Sequence, residues 1–423
     1  MRILLLAIAL LLSAQTGWTT TLTLEQCLRF AQQNNPDLRS AKITPLIAQH
    51  QVKVARSHFL PRVDINAGYS MLANPQAVVI GGRSEVTQEA EFPFYDLKVV
   101  QTLYDFGQTG NQVEGARINA EAARYDFKEQ VQEVFLTTVA AYYRILEAQN
   151  ILFAVNEEVF QLKDHLRVAR NFFDQGMVTR NDVLLAEVEL ANSLQRQLQR
   201  KNELENAWLQ LNYLTGRTAE ARGDLEEDAV IGSLPELDAQ RAIVDRPAVQ
   251  ADRLRLSASQ ASVSESRSAF RPTLFAQAEM NYLDNQYVSE QTMYSATIGI
   301  RFNLFDGYAS TARLNSAIEA EQQTRERLQS LERQTMLAVR TADNDARVAA
   351  ARISVAEESV AQAEENLRIN KERYLSQVGT STDVIDAQTI LTRSRTQIYQ
   401  ARFDYQLAKA RLRRAAGRLG EDL

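Results

Sequence analysis

The chain has 423 residues, 47 basic against 53 acidic side chains, 45% hydrophobic residues and a single cysteine, Cys27. Charges of both signs are mixed along its length with no basic block, which argues against nucleic acid as a partner, and one cysteine excludes an intramolecular disulfide. His50, His58 and His165 show no metal-site spacing, and no Gly-rich phosphate loop, nucleophile elbow or Cys cluster occurs. The histidines read as ordinary surface or packing residues, and neither a cofactor nor catalysis is expected.

Arg2, the ten apolar residues Ile3 to Leu12, and the small pair Ser13 and Ala14 have the layout of a secretory signal. The run is too short for the roughly 20 residues that span a bilayer. Residues 1–18 are therefore set aside as a signal peptide. No later stretch offers eighteen uncharged residues, so entry into a membrane as a helix is excluded and a closed β-barrel is the remaining route. Cys27 lacks the small-residue context of a lipid-modified N-terminus, and no lipid anchor is expected.

All eight prolines fall at positions 36, 45, 61, 75, 93, 235, 247 and 272, leaving 94–234 and everything after Pro272 without one. Between Gly115 and Gly176, Gly176 and Gly216, Gly307 and Gly379, and Gly379 and Gly417 there is neither Gly nor Pro. These tracts are rich in Ala, Leu, Glu, Gln and Arg and predict helices. The longer ones would be about 100 Å long at 1.5 Å per residue, as in coiled-coil assemblies. Val131, Phe135, Val139, Tyr142, Leu146, Phe153 and Phe160 trace a heptad-type seam. Ala338, Ala342, Ala346, Ala349 and Ala350 form a small-residue stripe where a neighbouring helix can come close.

The sequence also repeats itself. Asn35-Pro36 and Phe59-Leu60-Pro61 correspond to Arg246-Pro247 and Phe270-Arg271-Pro272. At an offset of 201, Leu103-Tyr104-Asp105 matches Leu304-Phe305-Asp306, and Asp182-Val183 matches Asp383-Val384. Two tandem halves follow, 19–230 and 231–423. Each holds a pair of strand-like segments, within 61–105 and 272–305. Val63, Ile65, Ala67, Tyr69 and Met71 alternate with polar residues, as do Leu274 to Tyr282 and Tyr294 to Leu304. The segment Tyr95 to Tyr104 alternates less cleanly. One apolar and one polar face fit a membrane β-barrel with a wet lumen, or a soluble two-faced sheet. Turn-rich links, 73–91 and 284–293, join the pairs. Tyr95, Tyr104, Tyr282 and Tyr294 are candidates for an interfacial girdle.

Four strands cannot close a membrane barrel, whose smallest members have about eight. Copies of the chain must supply the rest, eight strands in a dimer or twelve in a trimer, and the wider barrel leaves an aqueous lumen. The order helix, strand pair, long helix, tip and return helix, twice over, resembles the outer-membrane efflux proteins of the TolC type. The resemblance rests on the two proline corners above, on Leu103 to Gly107 and Leu304 to Gly307, and on the tips 174–182 and 376–383. It covers about Leu22 to Gly417. It implies a mainly α fold with a four-strand β contribution, in which an α-helical barrel joins a trimeric transmembrane β-barrel. It further implies a homotrimer in outer-membrane lipid extending into the periplasm, with a belt from 216 to 237. The trimer would passively conduct cargo from an inner-membrane pump and a periplasmic adaptor (membrane fusion protein).

By the same resemblance Asp383 and Asp386 match the carboxylates of the pore constriction, and Asp182 and Tyr374 match members of the latch that closes the tip. An Asp just after a turn also caps its helix, so Asp182 and Asp383 have two readings. Asp386 lies inside the helix, where capping does not explain it. Gly176, Met177, Val178, Val378, Gly379 and Thr380 resemble the tip segments that meet the adaptor, against the plainer reading of a helix-to-helix turn. The family's latch arginine is replaced by Gly379, with Arg180 and Arg373 as substitutes nearby, and Gln377 stands where the first half has Gly176. One other function class remains on the sequence alone, a pore-less periplasmic coiled-coil scaffold or adaptor; a secreted hydrolase fails for want of any nucleophile or metal constellation.

Overall fold

The computed structural model describes residues 21–227 and 239–420, so the expected signal peptide and part of the expected belt lie outside the described residues. In chain order the elements are α1 (Leu24–Asn34), α2 (Pro36–Ala41), α3 (Thr44–Ser57), β1 (Arg62–Met71), β2 (Gln76–Ile80), β3 (Arg83–Gln88) and β4 (Glu91–Tyr104). Then come α4 (Gln108–Asp174), α5 (Arg180–Thr215), α6 (Ala239–Asp245), α7 (Pro247–Ser268), β5 (Thr273–Leu283), β6 (Thr292–Arg301), α8 (Ala309–Leu375) and α9 (Ser381–Ala415). The two 67-residue helices occupy the expected tracts. Among the described residues no helix is long and apolar enough to cross a membrane.

The chain divides into two compact units, each drawing on both halves of the sequence. One comprises Lys42–Phe127 and Pro247–Glu332 and contains all six strands. Four of them form an antiparallel sheet in the order β1-β4-β5-β6, with β1 and β6 as open edges. The registers Asp64↔Lys98, Lys98↔Glu279 and Glu279↔Ser295 put these side chains in one row on one face. Parallel rows hold Asn66, Asp96 and Asn281, and Arg62, Val100, Gln277 and Thr297. The opposite face carries Val63, Ile65, Tyr95, Leu97, Ala278, Met280, Tyr294, Ile298 and Ile300. That face is uncovered: Ile65 is 73% exposed, Tyr294 77% and Ile298 76%. A soluble two-faced sheet would bury such a surface.

Three further features of this sheet refine the sequence reading. A bulge after Thr102 makes Leu103 the extra residue and pairs Tyr104 with Leu274 on the apolar face, which is why β4 alternates poorly. Tyr95, Tyr282 and Tyr294 share that face at one end of the sheet, and the Tyr95 and Tyr282 rings are 5.8 Å apart. Tyr104 sits at the other end. On the polar face Phe94 lies across Gly68 and Phe275 across Gly299, where a Cβ would stand 2.6 Å and 2.9 Å from the rings. The link 73–91 is more than a turn: it folds into the β2–β3 hairpin through Gly81-Gly82, both at positive φ.

The second unit comprises, among the described residues, 21–41, 128–227, 239–246 and 333–420. Thr23 and Gln26 make a reciprocal capping box at the start of α1 (3.1 Å each way). Leu24, Cys27, Leu28 and Ala31 then fall on one buried stripe. Leu24, Cys27 and Leu28 join a core with Val139, Tyr142, Ile145, Leu146, Trp208 and Leu211. The Tyr142 hydroxyl reaches the Leu22 and Glu226 carbonyls at 3.1 and 2.7 Å. The repeated X-Pro motifs are helix starts. The Asn35 carboxamide oxygen accepts from the Asp37 and Leu38 N–H groups (2.9 and 3.1 Å) just ahead of Pro36. Arg246, before Pro247, is buried and donates to Glu129 (3.1 Å) and Thr335 (3.3 Å), while Arg414 reaches Glu129 (3.4 Å) and Glu133 (2.6 Å).

The heptad seam needs correction. Phe135, Val139, Tyr142 and Leu146 are buried, but Phe153 is 59% and Phe160 65% exposed. They prolong the side of α4 that meets Leu22 and α1, beyond the end of that cluster. Past Leu146 the buried stripe is Ile151, Val155, Glu158, Leu162, His165 and Ala169, spaced 4, 3, 4, 3 and 4. The alanine stripe holds better: Ala342, Ala346 and Ala349 are buried against Ala408, Leu412 and Ala415 of α9.

Candidate functional site at the helix tips

Both helix-to-helix turns lie in the second unit, and they are built alike at the offset of 201. Gly176 (φ 69°) and Gln377 (φ 60°) take the left-handed conformation that ends α4 and α8. Met177 N–H donates to the Phe172 carbonyl (2.8 Å) and Val378 N–H to the Arg373 carbonyl (2.9 Å). Three residues on, Thr179 and Thr380 are the N-caps of α5 and α9. Three residues further, Asp182 and Asp383 turn back onto them. Thr179 donates its N–H (3.0 Å) and hydroxyl (2.7 Å) to Asp182. Thr380 N–H donates to Asp383 (2.9 Å), and the Asp383 N–H donates to the Thr380 hydroxyl (3.2 Å). The hydrogen bonds from Thr380, helped by the Arg373 charge, hold the Asp383 carboxyl below its ordinary range. Capping is therefore real for both residues. Asp386, one turn inside α9, is exposed and makes no hydrogen bond or ion pair among the described residues.

Tyr374 is buried at the end of α8 with Leu367, Val384, Ala387 and Leu391, and with Val168 and Phe172 of α4 against it. Its ring is 5.0 Å from His165 and 5.6 Å from Phe172. Burial raises its phenol, and the Asp182 charge raises it further. Gly379 packs on the end of α8: a Cβ there would lie 3.0 Å from Arg373 Cβ and 3.2 Å from Tyr374 N. Arg373 reaches only its own turn, at the Val378 carbonyl (3.5 Å). Met177, exposed, accepts at its Sδ from the Gln377 carboxamide (2.8 Å), a contact between the two turns. Val178 is half-buried, whereas Gly176, Val378 and Thr380 are exposed.

One participant was missed. His165 stands on the buried stripe of α4, with Nε2 2.8 Å from the Ser381 hydroxyl. The signal for burial was present in the spacing from Leu162 to Ala169. Nothing in the sequence brings residue 165 to residue 381.

A sheet whose apolar face and both edges lie open, on a chain whose paired long helices end in carboxylate-bearing turns, suits a channel of the outer membrane, and the comparisons place the chain in that class. Residues 28–217 and 239–418 match the family model described as outer membrane efflux protein. The chain belongs to that family, whose members are channels. It is 24% identical over 438 residues to outer membrane protein TolC of Salmonella enteritidis, covering 96% of this chain and 84% of that one. It is 22% identical over 407 residues to the alkaline protease secretion protein AprF of Pseudomonas aeruginosa, covering 92% and 83%. The fold is shared with the CmeC outer membrane channel of Campylobacter jejuni at a TM-score of 0.81 and 18% identity, over 93% and 85% of the two chains.

Proposed function

We propose that three copies of this chain close a twelve-strand barrel in the outer membrane and pass cargo outward from an inner-membrane pump and periplasmic adaptor. The halves 19–230 and 231–423 are then two repeats of one plan, giving each copy four strands and two helical hairpins. The observation that carries this reading is the four-stranded sheet. Its apolar face suits lipid, its polar face suits a wet lumen, and its unpaired β1 and β6 edges demand neighbours. A pore-less scaffold has no use for such a surface.

Arg62, Lys98 and Arg301 on the polar face are matched by Asp64, Asp96 and Glu279, so that face carries no net sign. Selection by charge falls instead to the tips, where Asp383 and Asp386 would form rings around a threefold axis. Asp182 and Tyr374 hold the turns, and Gly176, Met177, Val178, Val378, Gly379 and Thr380 present the surface that meets the adaptor. The test is assembly and block. Heat-modifiable trimers that fractionate with outer membranes and conduct in planar bilayers, with block by divalent cations, are expected. A monomer that stays folded in plain buffer would refute the proposal.

A further inference from the structure

Besides the apolar packing of Val168 and Phe172, the end of α4 is tied to the start of α9 by one imidazole. His165 is only 7% exposed. Its Nε2 meets Ser381, the first residue of α9, at 2.8 Å, and its ring lies against Tyr374 at the end of α8. Ser381 is fully buried, and the Tyr374 hydroxyl close by is buried without a hydrogen bond of good geometry. Any motion that separates the two hairpins must break this junction.

The surroundings tolerate a neutral ring far better than a charged one. From α8 comes Lys371, whose ammonium donates to Gln161 (2.5 Å), and from α9 come its N-terminal N–H groups, with Asp383 in the first turn. A cation at that helix end opposes the macrodipole. Asp182 of α5 and Asp164 of α4 act the other way. Burial, with Lys371 next, pushes His165 down to about 4, against the weaker pull of Asp164 and Asp182.

We propose that His165 is a positioning residue of the gate: neutral, it fastens the α8–α9 turn to α4, and its protonation releases that fastening so that the tip opens more readily in acid. This rests on the reading that the tips close the duct. The closed form binds fewer protons than an opened one whose His165 has regained ordinary solvation. Closure is then favoured at neutral pH and weakened as pH falls through the ordinary histidine range toward 4. With an opened-state value near 6.5, the open-to-closed ratio gains roughly a hundredfold by pH 4.5.

The experiment compares His165→Gln, which keeps a hydrogen-bonding group but takes no proton, with the unsubstituted histidine. Both are placed on an Asp383→Asn/Asp386→Asn background, where the ring carboxylates no longer titrate. Open probability of full-length trimers in planar bilayers is followed from pH 7.5 to 4.5. A rise of at least about tenfold is expected with His165, and less than about twofold with Gln. An equal rise in both, or none in either, overturns the proposal. Should the Gln variant fail to form trimers, NMR of histidine-labelled trimer decides: one imidazole titrating near pH 4 supports the fastening, and none titrating below about pH 5.5 refutes it. Cation block of the channel, compared with and without the two aspartates, reports separately on whether the tips line the duct.

Discussion

Replacing Glu129 by Leu removes the acceptor shared by two arginines. Arg246 is buried and donates to Glu129 at 3.1 Å, and its other partner is Thr335 at 3.3 Å. Arg414 sits 3.4 Å from the same carboxylate but keeps Glu133 at 2.6 Å. The substitution therefore leaves one guanidinium buried with only a hydroxyl to answer it. Breaking a buried pair by deleting one partner costs about 3–5 kcal/mol. The side chains of Arg246 and Glu129 remain 11% and 19% exposed, which places the expectation near the lower end, at about 3 kcal/mol. Removing both partners, as Glu129→Leu with Arg246→Met, should recover most of that loss, because no charge is then stranded. Equilibrium urea unfolding of the detergent-solubilised protein, with the double-mutant cycle completed by Arg246→Met, measures all three variants. A Glu129→Leu loss below about 1 kcal/mol, or a double variant no better than the single, would refute the argument. Conductance per assembled channel should be unchanged, since neither residue belongs to the tips.

Other predictions concern the tips. Gly379→Val adds atoms where even a Cβ meets the Arg373 Cβ at 3.0 Å and the Arg373–Tyr374 backbone at 3.2–3.3 Å, so on the proposed docking role export should fall while heat-modifiable oligomers persist. Gln377→Gly relieves a left-handed non-glycine residue but gives up the Met177 contact and adds chain entropy in the unfolded state. The balance should be a gain of at most about 1 kcal/mol in unfolding free energy. Asp386→Asn, at an exposed and unpartnered side chain, should leave thermal stability unchanged and weaken divalent-cation block. Unaltered block would remove Asp386 from the constriction.

The fold was legible because its punctuation is local. The prolines at 36 and 247 start helices, and the Gly-free tracts are the long helices. The offset of 201 reappears as two turns with the same caps. What the sequence concealed depends on which neighbour covers which side. Phe153 and Phe160 continue an apolar line by spacing, yet their cover ends with the α1 cluster, while Glu158 and His165 occupy the buried stripe that polarity would have assigned to water. Glu158 is tolerated there because Ser193 and Arg196 donate to it at 3.2 and 3.1 Å. The β2–β3 hairpin was hidden for a different reason. Its strands are short and exposed, and Gly81-Gly82 reads equally as loop or as turn.

The duplicated turn also bears on the two roles proposed for the tip carboxylates. Asp182 and Asp383 occupy the third position of their helices, where a carboxylate serves the threonine before it. Local structure alone accounts for an acid at each. The next turn breaks the symmetry. The residue 201 positions before Asp386 is Leu185, so only the second tip carries another carboxylate there, and it supports no cap, pair or hydrogen bond among the described residues. In Asp383 the Thr380 N–H bonds to Oδ2, so the cap fixes where the carboxylate points. The second turn thus holds two carboxylates three residues apart on one helix face, one fixed by its cap and one free in water. That asymmetry between otherwise equivalent turns is the ground on which we propose ion contact for α9, with α5 as its structural counterpart.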